Sequence, residues 1–136
     1  MSIILDGTNG INTPDVLTNS PLGMGYTTGA GGTVTQATNK STTVTLNKPT
    51  GQITMNGAAL AAGGEAVFQF NNNLISAKDT LVLGVDANSM LTAQAVYSFT
   101  HTVTNSIAYI RVKNIHSSSL SEAVVINFAI VKGATA

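Results

Sequence analysis

The stretch Ile107-Ala108-Tyr109-Ile110-Arg111-Val112-Lys113-Asn114-Ile115 decides the reading of this chain. Side chains along a strand point alternately to opposite faces, so Ala108, Ile110 and Val112 go one way and Tyr109, Arg111 and Lys113 the other. One apolar and one polar face describe a strand with its back to a core and its front to solvent or a partner. Immediately upstream, Asn105-Ser106 suits a turn, and beyond it Tyr97, Phe99, His101 and Val103 alternate with Ser98, Thr100 and Thr102. A strand over 93–103, a turn and a strand over 107–115 are expected.

The same period of two runs outward in both directions. Thr43-Val44-Thr45-Leu46-Asn47 and Gln52-Ile53-Thr54-Met55-Asn56 flank the turn signal Lys48-Pro49-Thr50-Gly51, which predicts a hairpin. Ala66, Phe68 and Phe70 alternate with Val67 and Gln69, and Thr80-Leu81-Val82-Leu83-Gly84-Val85 reads as a more fully buried strand. Ala123-Val124-Val125-Ile126-Asn127-Phe128-Ala129-Ile130-Val131 is the most apolar run and is expected to be a central strand. Gly57-Ala58-Ala59-Leu60-Ala61-Ala62 has helical propensity, but Gly63-Gly64 stops it early, so a loop or single turn is expected there.

Residues 1–32 break the pattern. Asp6-Gly7-Thr8-Asn9-Gly10, Pro14, Pro21 and Gly29-Ala30-Gly31-Gly32 place turn formers too close together for a long strand or helix. An extended N-terminal arm over 1–32, with a short strand at Ile3 to Leu5, is expected to order against a neighbour. Residues 33–136 then form one domain, of a length that buries a single core. Short strands separated by turn signals predict an all-β fold, an antiparallel two-sheet β-sandwich, with the jelly roll preferred and an immunoglobulin-like sandwich as its competitor.

Charge narrows the partners. Only 9% of the 136 residues are charged and the formal net charge is zero. No basic stripe is present for a phosphate backbone, so nucleic acid is not expected as a partner. No apolar run approaches the roughly 20 residues of a membrane-spanning helix, and no membrane partner is expected. Met1-Ser2-Ile3-Ile4-Leu5-Asp6 lacks the basic start and the long apolar run of a secretory signal. With so few charges and a mean hydropathy of +0.25, the chain is poorly protected against association and is expected to work assembled. Absence of Cys removes disulfides, thiolate metal sites and Cys nucleophiles together.

Residues able to carry chemistry are sparse. Gly29-Ala30-Gly31-Gly32-Thr33 lacks the preceding strand, following helix and Lys of a phosphate loop, and reads as a hinge. His101 and His116 have no carboxylate at metal-ligand spacing, and His101 shares a strand face with Tyr97 and Phe99, where a structural role is expected. Ser117-Ser118-Ser119 lies beside His116, but adjacent residues seldom reach nucleophile-to-base geometry, and Glu122 is the sole nearby carboxylate to orient the ring. Asp6-Gly7-Thr8-Asn9-Gly10 and Asn71-Asn72-Asn73 lack the carboxylate spacing of a calcium loop and read as turns. No catalytic, cofactor or metal residue is therefore assigned, and an enzyme is not expected. Tyr109, Arg111 and Lys113 form the one local concentration of positive charge, on a face suited to a partner or to solvent.

Gly25-Tyr26-Thr27-Thr28-Gly29-Ala30-Gly31-Gly32-Thr33-Val34-Thr35-Gln36-Ala37-Thr38-Asn39-Lys40-Ser41 and Val44-Thr45-Leu46-Asn47-Lys48 resemble a recurrent module of tailed-bacteriophage virion proteins. So do Gly51-Gln52-Ile53-Thr54-Met55-Asn56, Ala58-Ala59-Leu60-Ala61-Ala62-Gly63, Ser119-Leu120-Ser121-Glu122-Ala123 and Ile126-Asn127-Phe128-Ala129, spanning about Gly25 to Gly133. Ile4-Leu5-Asp6-Gly7-Thr8-Asn9-Gly10-Ile11 with Pro14 is similar to the openings of tail-associated fibre proteins. The resemblance carries no catalytic motif and implies a structural role in a phage particle. Its first implication is a capsid decoration or cement protein, a homodimer or homotrimer bridging major capsid protein subunits on the outer capsid surface, made in the host cytoplasm. Its second is a tail or tail-fibre component. The small size, without a long coiled-coil shaft, favours the first. A carbohydrate-binding module is a third reading, disfavoured by 5% aromatics and no Trp. The expected partner contacts are Ile3, Ile4 and Leu5 in the arm and Tyr109, Arg111 and Lys113 on the exposed strand.

Overall fold

In the computed structural model, residues 25–26, 28–89 and 96–133 are described. They contain eight strands: β1 (Thr33–Thr35), β2 (Val44–Thr45), β3 (Thr50–Thr54), β4 (Glu65–Asn71), β5 (Thr80–Val85), β6 (Tyr97–Thr104), β7 (Ile107–Asn114) and β8 (Val125–Val131). A single turn of 3-10 helix, Ala87–Ser89, precedes β6. The chain is all-β, with two four-stranded sheets in the orders β1-β3-β8-β5 and β2-β4-β7-β6.

The expected antiparallel pairing is corrected at two places. β1 runs parallel to β3, and β2 runs parallel to β4, so both sheets are mixed. The expected hairpin over 43–56 is corrected as well: β2 and β3 lie in different sheets. Alternation in each segment specifies a buried face but not which sheet it belongs to, and Val44 and Ile53 reach the same core from different sheets.

The path explains the pairing. From β1 to β6 the chain changes sheet at every step, so β1, β3 and β5 run one way in their sheet, and β2, β4 and β6 run one way in theirs. β3 and β5 are not neighbours, and neither are β4 and β6. β7 enters the second gap and β8 the first, each antiparallel to both flanking strands. The apolar run ending in Val131 is thus an inner strand, as its composition predicts, whereas the run over 80–85 is an edge strand with Val82 half-exposed.

One apolar cluster draws on both sheets. Val44, Phe68, Phe70, Ala108, Ile110 and Val112 come from one, and Ile53, Leu81, Ile126, Phe128 and Ile130 from the other. Phe70 and Phe128 meet edge to face, centroids 4.9 Å apart and planes at 63°. Tyr97 is buried and Phe99 and Val103 half-buried, but His101, on the same alternation, is exposed at the free edge of β6. The 57–62 segment is not helical. Leu60 makes an isolated antiparallel bridge to Leu120, and the Asn114 side-chain amide donates to the carbonyls of Leu60, Ala61 and Ser118.

Of the expected arm, residues 1–24, including the strand at Ile3 to Leu5, lie outside the described residues. Further along it, the Gly32 carbonyl accepts the Gln52 N–H at 2.9 Å, so this part already belongs to the β3 flank. Approach is so close that a Cβ on Gly51 would stand 2.2 Å from the Gly32 oxygen. At the β6–β7 turn, by contrast, Ser106 holds φ at 64°, where an L side chain is strained. The two positions respond oppositely to a change of backbone freedom. Chemical denaturation should show Gly51→Ala losing about 2 kcal/mol or more, because backbone has to move, and Ser106→Gly gaining up to about 1 kcal/mol.

Candidate interaction face

Three strands build the outer face of the β2-β4-β7-β6 sheet. β7 offers Tyr109, Arg111 and Lys113 outward while Ala108, Ile110, Val112 and Asn114 are buried. The three residues expected on one face therefore share it. Register places Gln69 and Thr102 on either side of Tyr109, Val67 and Thr100 beside Arg111, and Glu65 and Ser98 beside Lys113. Tyr109 and Val67 are both partly exposed, and a shallow depression of about 190 Å³ is lined by Val67, Thr100, His101, Thr102, Tyr109 and Arg111.

The positive charge is largely answered within the chain. Arg111 donates to the Glu65 carboxylate at 2.6 Å, and Lys113 lies 3.4 Å from its other oxygen. The Arg111 hydrogen bond first, then that of Lys113, holds the Glu65 carboxyl below its usual range. Glu65 thereby orients two long side chains across a face shared with Val67, Tyr109 and neighbouring Thr, Ser and Gln side chains, and leaves one net positive charge. Such exposed pairs contribute little stability, so their importance is to the shape and charge of the face.

Polar contacts that the sequence reading did not foresee tie the ends of the sheets together. Lys40 is buried and its ammonium donates to the carbonyls of Asn56 and Glu122 at 2.7 and 2.6 Å. Burial lowers the Lys40 pKa, and the Glu122 carboxylate partly opposes that. Tyr97 donates its hydroxyl to Glu122 at 2.6 Å, and burial, then this bond, pushes the phenol pKa up. Gln36 completes the corner: its amide donates to the Lys40 and Thr42 carbonyls and accepts the Asn56 N–H, each at 3.0 Å. A lone Lys within a Thr- and Asn-rich loop carries no pattern that distinguishes this arrangement from a solvated one.

The remaining candidates are dispersed. His116 accepts the Ser118 backbone N–H on Nδ1 at 3.1 Å, while Glu122 receives Tyr97, so these residues do not form a chain of nucleophile, base and orienter. Asn72 is buried and spends its side chain on the Lys48 carbonyl and the Leu74 N–H, as a turn residue does. Thr33 opens β1 directly after the Gly29 to Gly32 turn, where a phosphate loop would start a helix. Among the described residues no three His, Asp or Glu side chains stand close enough to share a metal ion. Ile3, Ile4 and Leu5 lie outside the described residues.

Comparison of the chain with family models, with curated proteins and with solved structures found no match.

Asp79 ties the start of β5 to the end of β8. Its carboxylate, nearly inaccessible, is bonded by the Lys132 ammonium and accepts the Ser76 and Gly133 N–H groups at 2.8 and 3.0 Å. Lys132 first, then the backbone donors, holds its pKa far below the usual Asp value. A depressed carboxylate stabilises the fold above its unfolded-state pKa of about 4 and loses that contribution as pH falls through the folded value. Asp79→Asn should therefore lower the urea midpoint at pH 5 to 7, with the gap to the native chain closing progressively below about pH 4. A gap that persists unchanged into acid would show that the ionised carboxylate is not its source.

Proposed function

We propose that this chain is a structural virion protein of a tailed phage, a capsid decoration or cement protein that bridges and stabilises major capsid protein subunits. The observation that carries this reading is the outer face of the β2-β4-β7-β6 sheet. It is broad, mostly uncharged and hydroxyl-rich, with Tyr109 exposed at its centre and the Glu65, Arg111 and Lys113 group at one end. Together with the virion-module resemblance over Gly25 to Gly133, it supports contact with protein surfaces repeated many times on a particle. The partners proposed are the major capsid protein and further copies of this chain, as a homodimer or homotrimer on the outer capsid surface.

In this reading the two sheets form a β-sandwich, a rolled variant of the jelly-roll type. What supports it is the single core drawn from both sheets and the path that alternates between them until β7 and β8 return. Binding is mechanical and additive. A symmetric oligomer would present identical faces to several subunits, with Ile3, Ile4 and Leu5 as further proposed contacts, so that modest contacts combine through effective concentration. The Tyr109 ring and the Arg111 side chain, the latter already held by Glu65, supply the anchors, since Tyr and Arg are enriched among the residues that dominate interface energy.

Copy number per virion tests the reading. Quantitative mass spectrometry on purified particles, referenced to the major capsid protein, should return hundreds of copies. A count of a few to some tens would move the protein to the tail, the alternative that the resemblance leaves open.

A further inference from the structure

Just beyond β3 the chain reads Met55-Asn56-Gly57-Ala58, and both the backbone and the side chain of Asn56 are held. Its N–H donates to the Gln36 side-chain oxygen at 3.0 Å, and its carbonyl accepts the Lys40 ammonium at 2.7 Å. Its side-chain oxygen accepts the Ala58 N–H at 2.8 Å, and its side-chain nitrogen donates to the Ala37 carbonyl at 3.1 Å. Gly57 lies between, exposed, and its N–H has no acceptor among the described residues. The bond from Ala58 closes an Asx turn, which folds the side-chain carbon of Asn56 back along the backbone toward the Gly57 nitrogen. Gly57 carries no side chain to obstruct that approach.

We propose that Asn56 is a self-processing site, at which the Gly57 nitrogen attacks the Asn56 side-chain amide and water then converts the residue to aspartate or isoaspartate. The Gly57 N–H gives its proton to solvent base, the bond from nitrogen to Cγ forms, the Cγ–Nδ2 bond breaks, and Nδ2 takes up a proton and leaves as ammonia. Water opens the resulting cyclic imide at one carbonyl or the other. The net change is amide plus water to acid plus ammonia, with no oxidant or reductant. Negative charge develops at two oxygens along this path, and each already faces a donor. Loss of the Gly57 proton spreads charge onto the Asn56 carbonyl oxygen, where Lys40 donates, and attack on Cγ places charge on Oδ1, where the Ala58 N–H donates. Donors fixed before the charge appears stabilise it without a cost of reorganisation. Lys40 is kept in place by burial and by its second bond, to the Glu122 carbonyl at 2.6 Å. Exposure of Gly57 admits the base and the water. Conversion adds a carboxylate to a chain of zero net charge, and the isoaspartate product lengthens the backbone at the carbonyl that Lys40 holds. The inference rests on this corner of the fold and does not depend on a capsid partner.

Purified full-length protein is incubated in mildly alkaline buffer, either folded or unfolded in urea, and sampled over days. Peptides are mapped by mass spectrometry, with aspartate and isoaspartate forms separated by chromatography. Folded protein should gain about 1 Da at Asn56, at a rate about tenfold above that of the unfolded chain, since folding alone supplies both donors. A folded rate at or below the unfolded rate would overturn the proposal, because Asn56 would then react as any Asn-Gly pair does, or less. Lys40→Met should slow conversion in the folded chain about tenfold, and an unchanged rate in a variant that still unfolds cooperatively would refute the role given to the ammonium. If that variant does not fold, the comparison of folded and unfolded native chain decides alone. A branched peptide joining Lys40 to Asn56 would likewise exclude Gly57 as the nucleophile.

Discussion

The backbone hydrogen-bond demand of four strands that are not neighbours organises this molecule. β3 and β5, and β4 and β6, each stand one strand-width too far apart to pair directly, and their facing N–H and C=O groups need partners. β7 and β8 supply them on both flanks and contribute Ala108, Ile110, Val112, Ile126, Phe128 and Ile130 to the core. The last two strands in the sequence are therefore each an inner strand of its sheet, beside β3 or β4. Most pairings join residues far apart along the chain, so ordering is dominated by loop closures that contacts repay only once the last strands arrive.

The same arrangement determines what remains for interaction. Inner strands show one face to the core and one to the outside, which is why β7 can display Tyr109, Arg111 and Lys113 in a row while its even-numbered residues are fully buried. Polar groups at the ends of the sheets are consumed internally: Lys40 by the Asn56 and Glu122 carbonyls, Asp79 by Lys132 and two backbone donors. Among the described residues no buried side-chain nitrogen or oxygen lacks a hydrogen-bond partner. On the exposed β4-β7-β6 face the Glu65, Arg111 and Lys113 group leaves one net positive charge beside hydroxyl and amide side chains.

Two outward surfaces divide along physical lines. The Tyr109 face is hydroxyl-rich with a charged end, while the groove lined by Tyr26, Pro49, Leu74 and Ile130 is apolar and adjoins the point where residues 1–24 join the described fold. A surface of the first kind tolerates water and discriminates by charge, and one of the second kind gains from excluding water.

Alternation in the sequence pointed to the strands now seen at 65–71, 97–104 and 107–114 and to the grouping of Tyr109, Arg111 and Lys113, and apolarity to the inner strand at 125–131, while His101 shows that alternation names a face and not its burial. Asn105-Ser106 likewise marked its turn, since two residues suffice to reverse a chain. Tertiary structure alone decided that the segments around Pro49 enter different sheets, that β1 and β2 pair in parallel, and that the run over 80–85 is an edge. Alternation says that a face is buried but not against what, and parallel partners are selected by contacts remote in sequence. Burial of Lys40 and Asp79 was equally invisible, because their partners are carbonyls and amides brought together by folding, which every residue type carries and no motif records.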